Sequence, residues 1–128
     1  RFPNIALSCG WDDQALEFFA WGAPSWVCAA SNFLPAEHVA LYEACVVEGD
    51  FAKGRKIMSA MMPLMNNLDE GDFVQKIKAG CELEGLTAGA PRLPLLPLDA
   101  DVKARFADVV ATLKTEVAAV TRTPEPVR

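Results

Sequence analysis

Two adjacent carboxylates, Asp12 and Asp13, follow a short apolar run, Ile5-Ala6-Leu7-Ser8-Cys9, and the glycine that ends it, Gly10. An ionised aspartate only accepts hydrogen bonds, through about four lone-pair sites, so two in a row can hold several O–H donors of a polyhydroxy chain. Aspartate is also a common helix cap, and both roles stay open for this pair. Trp11 and Trp26 either narrow a pocket beside the carboxylates or pack in the core. The single histidine, His38, has no second metal ligand at suitable spacing and reads as a surface or helix-start residue, so neither a metal nor a cofactor is expected. The four cysteines, Cys9, Cys28, Cys45 and Cys81, are far apart and form no CxxC pair, which suits buried reduced thiols in a cytoplasmic protein. All six lysines, Lys53, Lys56, Lys76, Lys78, Lys103 and Lys114, and the one tyrosine, Tyr42, fall in segments with helical patterning.

The elements that must carry these residues can be read from the apolar periodicity. Ile5 to Cys9 suits a strand buried on both faces, with Gly10 as its end. A helix then presents Leu16, Phe19 and Ala20 on one face and stops at Gly22. Trp26 to Ala30 reads as a second buried strand, ending at Ser31-Asn32. Pro35 opens the next helix, with Val39, Tyr42, Val46 and Val47 as its apolar positions up to Gly49. Strand, helix, strand, helix with apolar strands predicts parallel pairing.

From Asp50 onward the pattern is helical. Asp50 is placed to cap a segment with Phe51, Ile57, Met58, Met61, Met62 and Met65 as its apolar positions, and Pro63 is expected to kink or end it. That methionine stripe reads as core or subunit interface. Asn66 to Gly71 is turn-like; Asp72 restarts a helix through Phe73, Ile77, Cys81 and Leu83 to Gly85. Gly89 to Pro97 holds three prolines and must be extended, with Arg92 a candidate anchor. Asp99 or Asp101 starts a final helix whose Val102, Phe106, Val109, Val110, Leu113 and Val117 recur at threes and fours. A tail from Thr121 is expected to fray.

The chain has 128 residues, 52% of them hydrophobic, enough for a real core. A net charge of -5 offers no grip on phosphate backbones or an anionic membrane, and no apolar run reaches the roughly 20 residues that span a bilayer, so neither nucleic acid nor a membrane is an expected partner. Two parallel strands leave both faces and both edges of a sheet uncovered. More strands are therefore required, and the expectation is that this chain is the carboxy-terminal piece of a larger soluble α/β enzyme.

Leu7-Ser8-Cys9-Gly10-Trp11-Asp12-Asp13, then Gly22-Ala23, then Val27 through Asn32, resembles the seventh and eighth barrel strands of the dihydrodipicolinate synthase and N-acetylneuraminate lyase family. Glu48-Gly49-Asp50-Phe51-Ala52 resembles the family's link to its carboxy-terminal helices, and Lys78, Glu84-Gly85-Leu86 and Pro91-Arg92-Leu93-Pro94-Leu95 resemble its closing signature. The resemblance runs from about Pro3 to Leu113. It implies an α/β fold: residues 1–49 as the last two strand–helix units of a (β/α)8 barrel, 50–120 as a carboxy-terminal helical bundle, 121–128 as a flexible tail.

It also implies a homotetrameric Schiff-base lyase in which a strand lysine forms an imine with pyruvate or another 2-keto acid and a tyrosine relays protons. Both belong to strands this segment lacks, so the segment alone is expected to be inactive, with the amino-terminal part of the barrel as its partner. What it would supply is substrate contact: Gly10, Asp12 and Asp13 stand where the lyase branch has acids that bond substrate hydroxyls, and Val27 matches a position whose carbonyl faces the imine lysine. Ala29 replaces a serine of the sugar-lyase branch, which argues against sialic acid as the substrate. The rival expectation is a mostly helical interaction or regulatory domain without chemistry.

Overall fold

The computed structural model describes residues 4–122. It is mostly helical with a small parallel sheet. Strand β1 is Ser8–Cys9 and β2 is Ser25–Trp26, parallel, with Ser8 opposite Ser25 and Cys9 opposite Trp26. Val27 N–H donates to the Cys9 carbonyl at 2.9 Å and extends the ladder by one bond. The predicted pairing is present, but each strand is two residues long and the expected two-sided burial is not seen: Cys9 is buried, whereas Ile5 is 70% exposed and Val27 74%. No third strand or second layer among the described residues covers those positions.

A 3-10 turn, Asp12–Gln14, leads into α1, Ala15–Ala20. The helix stops where its patterning predicts. Gly22 takes a φ of +86°, its N–H donates to Phe19 O and that of Ala23 to Phe18 O, so the last carbonyls are satisfied in a reversal that only glycine enters cheaply. Of the predicted apolar face Phe19 is buried and Leu16 packs on the core, but Ala20 is exposed and Ala15 takes the inward place.

Helix α2, Pro35–Tyr42, begins at proline as predicted and runs into a π-helical turn, Glu43–Val47, before Gly49. Its buried face differs from the predicted one. Val39 and Val47 point outward, and the inward positions are His38, Leu41, Ala44 and Cys45. The reason is close packing: the neighbouring helix approaches at Gly54, where a methyl would lie 2.3 Å from Cys45 Sγ, so only small side chains fit between. His38, expected at the surface or at a helix start, lies in the first turn of α2 and is 3% exposed.

Helix α3, Phe51–Asp69, is capped as predicted by Asp50, whose Oδ1 accepts from Lys53 N–H at 2.9 Å. Pro63 does not end it, and Asn66 to Asp69 are helical rather than turn-like. The proline is exposed while Ala60, Met61, Leu64, Met65 and Leu68 around it are buried against the other helices, and that burial outweighs the roughly 3 kcal/mol local cost of an interior proline. Three of the four stripe methionines, Met58, Met61 and Met65, are core.

Helix α4 is Phe73–Leu83 and α5 is Ala100–Thr121. In α4 the expected Phe73 and Leu83 are exposed, and Lys76, Ala79 and Gly80 are buried, because Gly80 lies flat against the Phe33 ring. In α5 the predicted stripe holds: Phe106, Val110, Leu113 and Val117 are buried, and α5 packs along α3. The segment between α4 and α5 is neither helix nor strand, as its prolines require. Lys78, not the exposed Arg92, ties it down, donating to the Ala88 carbonyl at 2.6 Å. Of the predicted tail, Thr121 still ends α5, and residues 123–128 lie outside the described residues. No helix among the described residues is long and apolar enough to cross a membrane.

Candidate functional site

The carboxyl ends of β1 and β2 open on one side of the sheet into a cavity of about 410 Å³. The end of β1 contributes Gly10, Trp11, Asp12 and Asp13; the end of β2 contributes Val27, Cys28 and Ala29. All five residues singled out as substrate contacts, Gly10, Asp12, Asp13, Val27 and Ala29, therefore line one cavity. The opposite wall comes from far along the chain: Met65, Leu68 and Asp69 from the last turns of α3 and Phe73 from the start of α4. Sequence reasoning missed that wall. Its only local signal was a polar Asp69 at the end of an apolar stripe.

The two adjacent carboxylates behave differently, and neither caps α1. Both oxygens of Asp12 are engaged across the strand gap: Oδ1 accepts from the Trp26 indole N–H at 3.1 Å, Oδ2 from the Ala29 backbone N–H at 3.0 Å. Asp13 has a buried Oδ1 with no hydrogen-bond partner. Burial raises its carboxyl above the ordinary 3.8, with the Asp69 charge adding to the rise. The cavity thus holds one wall-bound carboxylate and two without hydrogen-bond partners among the described residues, and no basic side chain among those residues lines it. Such a wall receives O–H donors and repels a substrate's own carboxylate.

Trp26 does not line the cavity as one reading of the sequence had it; its ring lies behind, edge-on to Phe19 at 5.9 Å and tilted over His38 at 4.9 Å. Trp11, on the β1 side, and Phe73, on the opposite wall, are the exposed aromatics that line the cavity. His38 Nδ1–H donates to the Leu34 carbonyl at 2.7 Å, and Nε2 is buried without a partner. Burial lowers its pKa from the ordinary 6.5, and the ring does not line the cavity. Burial also pushes the Cys9 and Cys28 thiols up, which leaves them poor nucleophiles at neutral pH. Among the described residues no group of three His, Cys, Asp or Glu could hold a metal ion.

The lysines lie on helices, as predicted. Lys76 is buried and donates to the Asn67 carbonyl; Lys53, Lys103 and Lys114 pair with Glu48, Glu82 and Glu84 on the surface. Tyr42 donates to the Pro24 carbonyl at 3.0 Å. None of these lines the cavity.

Relatives carry the same arrangement of elements. The chain is 43% identical over 93 residues to 4-hydroxy-tetrahydrodipicolinate synthase of Exiguobacterium sibiricum, covering 73% of this chain and 31% of that protein. The solved structure of the 4-hydroxy-tetrahydrodipicolinate synthase of Methylacidiphilum fumariolicum superposes with a TM-score of 0.75 at 30% identity, over 87% of this chain and 37% of its own. The N-acetylneuraminate lyase of Proteus mirabilis superposes with a TM-score of 0.68 at 31% identity, over 84% and 35%. The chain thus spans about a third of the length of the relatives it matches. Residues 2–113 match the dihydrodipicolinate synthetase family, and with the strand pair, the rim cavity and the helical remainder in their expected order, the chain belongs to that family.

Proposed function

We propose that this segment is part of a Schiff-base-forming lyase, an aldolase or dehydratase acting on pyruvate or a 2-keto-3-deoxy sugar acid, and that it supplies substrate-pocket and oligomer-interface residues of a cytoplasmic homotetramer. In this reading residues 1–49 are the last two strand–helix units of a (β/α)8 barrel, 50–120 the helical bundle that follows and 121–128 a tail. The observation that carries it is the convergence of Gly10, Asp12, Asp13, Val27 and Ala29 on one cavity at the carboxyl ends of parallel strands, the rim where barrel enzymes hold their substrates.

The cavity's charge divides the labour. A 2-keto acid's carboxylate and carbonyl belong beside the imine lysine, on the part of the barrel this segment lacks. The hydroxylated end of the substrate fits here, against Asp13, with the Gly10 and Val27 backbone as floor and Trp11 at the rim. Asp12 braces the wall through both oxygens, and each oxygen keeps a lone pair for a substrate hydroxyl. The imine itself forms elsewhere, because every lysine of the segment sits on a helix outside the cavity.

Two measurements test this. Borohydride reduction with pyruvate should trap a covalent adduct only when the amino-terminal barrel strands are joined to this segment; trapping on residues 1–128 alone refutes the division. In the joined polypeptide, Asp13→Ala should raise KM for a 2-keto-3-deoxy sugar acid by about tenfold or more, the worth of a hydrogen bond to a charged group, while imine trapping with pyruvate stays unchanged. An unchanged KM removes Asp13 from the site, and binding of the keto acid with no trapping in the joined polypeptide marks a regulatory relative instead.

A further inference from the structure

The most unusual polar arrangement outside direct substrate contact is the one behind the cavity. Asp12 projects from the end of β1 and joins two separate groups of the neighbouring strand end, the Trp26 side chain and the Ala29 backbone. A carboxylate that accepts two hydrogen bonds in different directions has its χ angles fixed by both. The Trp26 ring in turn cannot turn away. Phe19 of α1 meets it edge-on, and His38 of α2 lies against it; His38 is itself tied through Nδ1 to the Leu34 carbonyl. The sheet alone gives little support here, since each strand is two residues long and Val27 makes the last backbone bond between them.

We propose that Trp26, braced by Phe19 and His38, is a positioning residue of the pocket: through its indole N–H it orients Asp12, and Asp12 holds the Ala29 N–H, so that the Val27–Ala29 wall is fixed and Asp13 is left as the free carboxylate. This rests on the reading of the cavity as a substrate pocket. The indole N–H is the essential atom. A phenylalanine would keep the ring contacts and lose the bond, after which Asp12 is held on one side only and the Ala29 amide loses its fixed acceptor.

The test separates the clamp from the reading it serves. In residues 1–128, Trp26→Phe should accelerate amide hydrogen exchange at Ala29 about tenfold or more relative to core amides of α3, the change expected when one of two bonds to a charged acceptor is lost. Unchanged exchange overturns the proposal, because a ring acting by packing alone would leave Ala29 protected. Should that variant fail to fold, Asp12→Asn keeps every ring in place and carries the same test: the Trp26 indole N–H resonance and the Ala29 amide should both shift, since an amide cannot accept from two donors with its nitrogen facing one of them. In the joined polypeptide, Trp26→Phe should raise KM for the polyhydroxy keto acid severalfold with kcat retained. Accelerated exchange with an unaltered KM also overturns the positioning role. Absence of both keto-acid binding and imine trapping in the unsubstituted joined polypeptide refutes the lyase reading, and the exchange measurement then decides the clamp by itself.

Discussion

Gly54 lets α3 approach the π-helical turn after α2 that carries Cys45, and its replacement by alanine tests that approach. A Cβ there would lie 2.3 Å from Cys45 Sγ, which falls 1.1 Å short of ordinary contact at 3.4 Å, and 3.4 Å from Leu16 Cδ1. Cys45 is buried, so rotating the sulfur aside drives it into other core atoms. Overpacking of that size costs about 3 kcal/mol, and the better helix propensity of alanine returns about 1 kcal/mol, for a net loss near 2 kcal/mol. Cys45→Ala alone removes the sulfur's contacts and should cost about 1 kcal/mol. In the double variant the new methyl fills the space the sulfur left, so the clash disappears, and stability should return to within about 1 kcal/mol of the parent. Urea titrations followed by circular dichroism give the four corners of the cycle, with an unchanged m value required for the comparison. For a chain of this size Gly54→Ala should also lower Tm by roughly 8 °C. Additive losses, about 3 kcal/mol in the double variant, would refute the claim that one sulfur–methyl contact sets the spacing of these helices.

Gly80→Ala should be at least as damaging, by about 2 kcal/mol net, because its Cβ would sit 2.6 Å from Phe33 Cγ and Cδ1, on the face of a ring that Phe106 backs at 5.9 Å; a thermal melt coincident with the parent's would contradict the contact. Stability should also depend on His38. Its folded pKa is lowered below 6.5, chiefly by burial, against the opposing pull of the Leu34 carbonyl, Asp12 and Glu37. The unfolded chain therefore binds the proton more readily, so stability is full above about pH 6.5 and falls as pH drops below it. Urea midpoints between pH 5 and 8 should show that decline, and His38→Phe should flatten it; an equally steep decline in the variant would place its source elsewhere.

What the sequence made legible was whatever depends on neighbours along the chain. Asp50 caps α3 because the residue three positions on, Lys53, offers the N–H; Gly22 ends α1 because glycine enters the left-handed turn without strain; the α5 stripe repeats over about four turns and faces the core. The five cavity residues were named through the family resemblance, and they meet because they sit at two strand ends that pair in register. Misread positions share another cause. In α2 and α4 the buried faces carry Ala44, Cys45, Ala79, Gly80, His38 and Lys76, residues that a hydrophobic count passes over, while Val39, Val47, Phe73 and Leu83 lie outside. There the choice is made by the distance to the next helix, a tertiary quantity, and small size counts for more than apolarity. Asp69 and the Asp12 clamp are tertiary too: nothing near either position in the chain announces a partner on another element.

The exposed residues of the strand pair carry the remaining argument. Ile5, Leu7 and Val27 are side chains suited to a strand covered on both sides, yet more than half of each is open to water, and among the described residues both edges of the two-residue ladder are unpaired. Fully burying one such side chain is worth about 1.5–3 kcal/mol, so adding strands and a covering layer at this face would stabilise the segment by several kcal/mol and lengthen the sheet. The same layer would close the rim cavity opposite the α3 and α4 wall. A cavity with its acidic side built and its other side open sheet is the arrangement that the proposed division of the barrel requires of this segment.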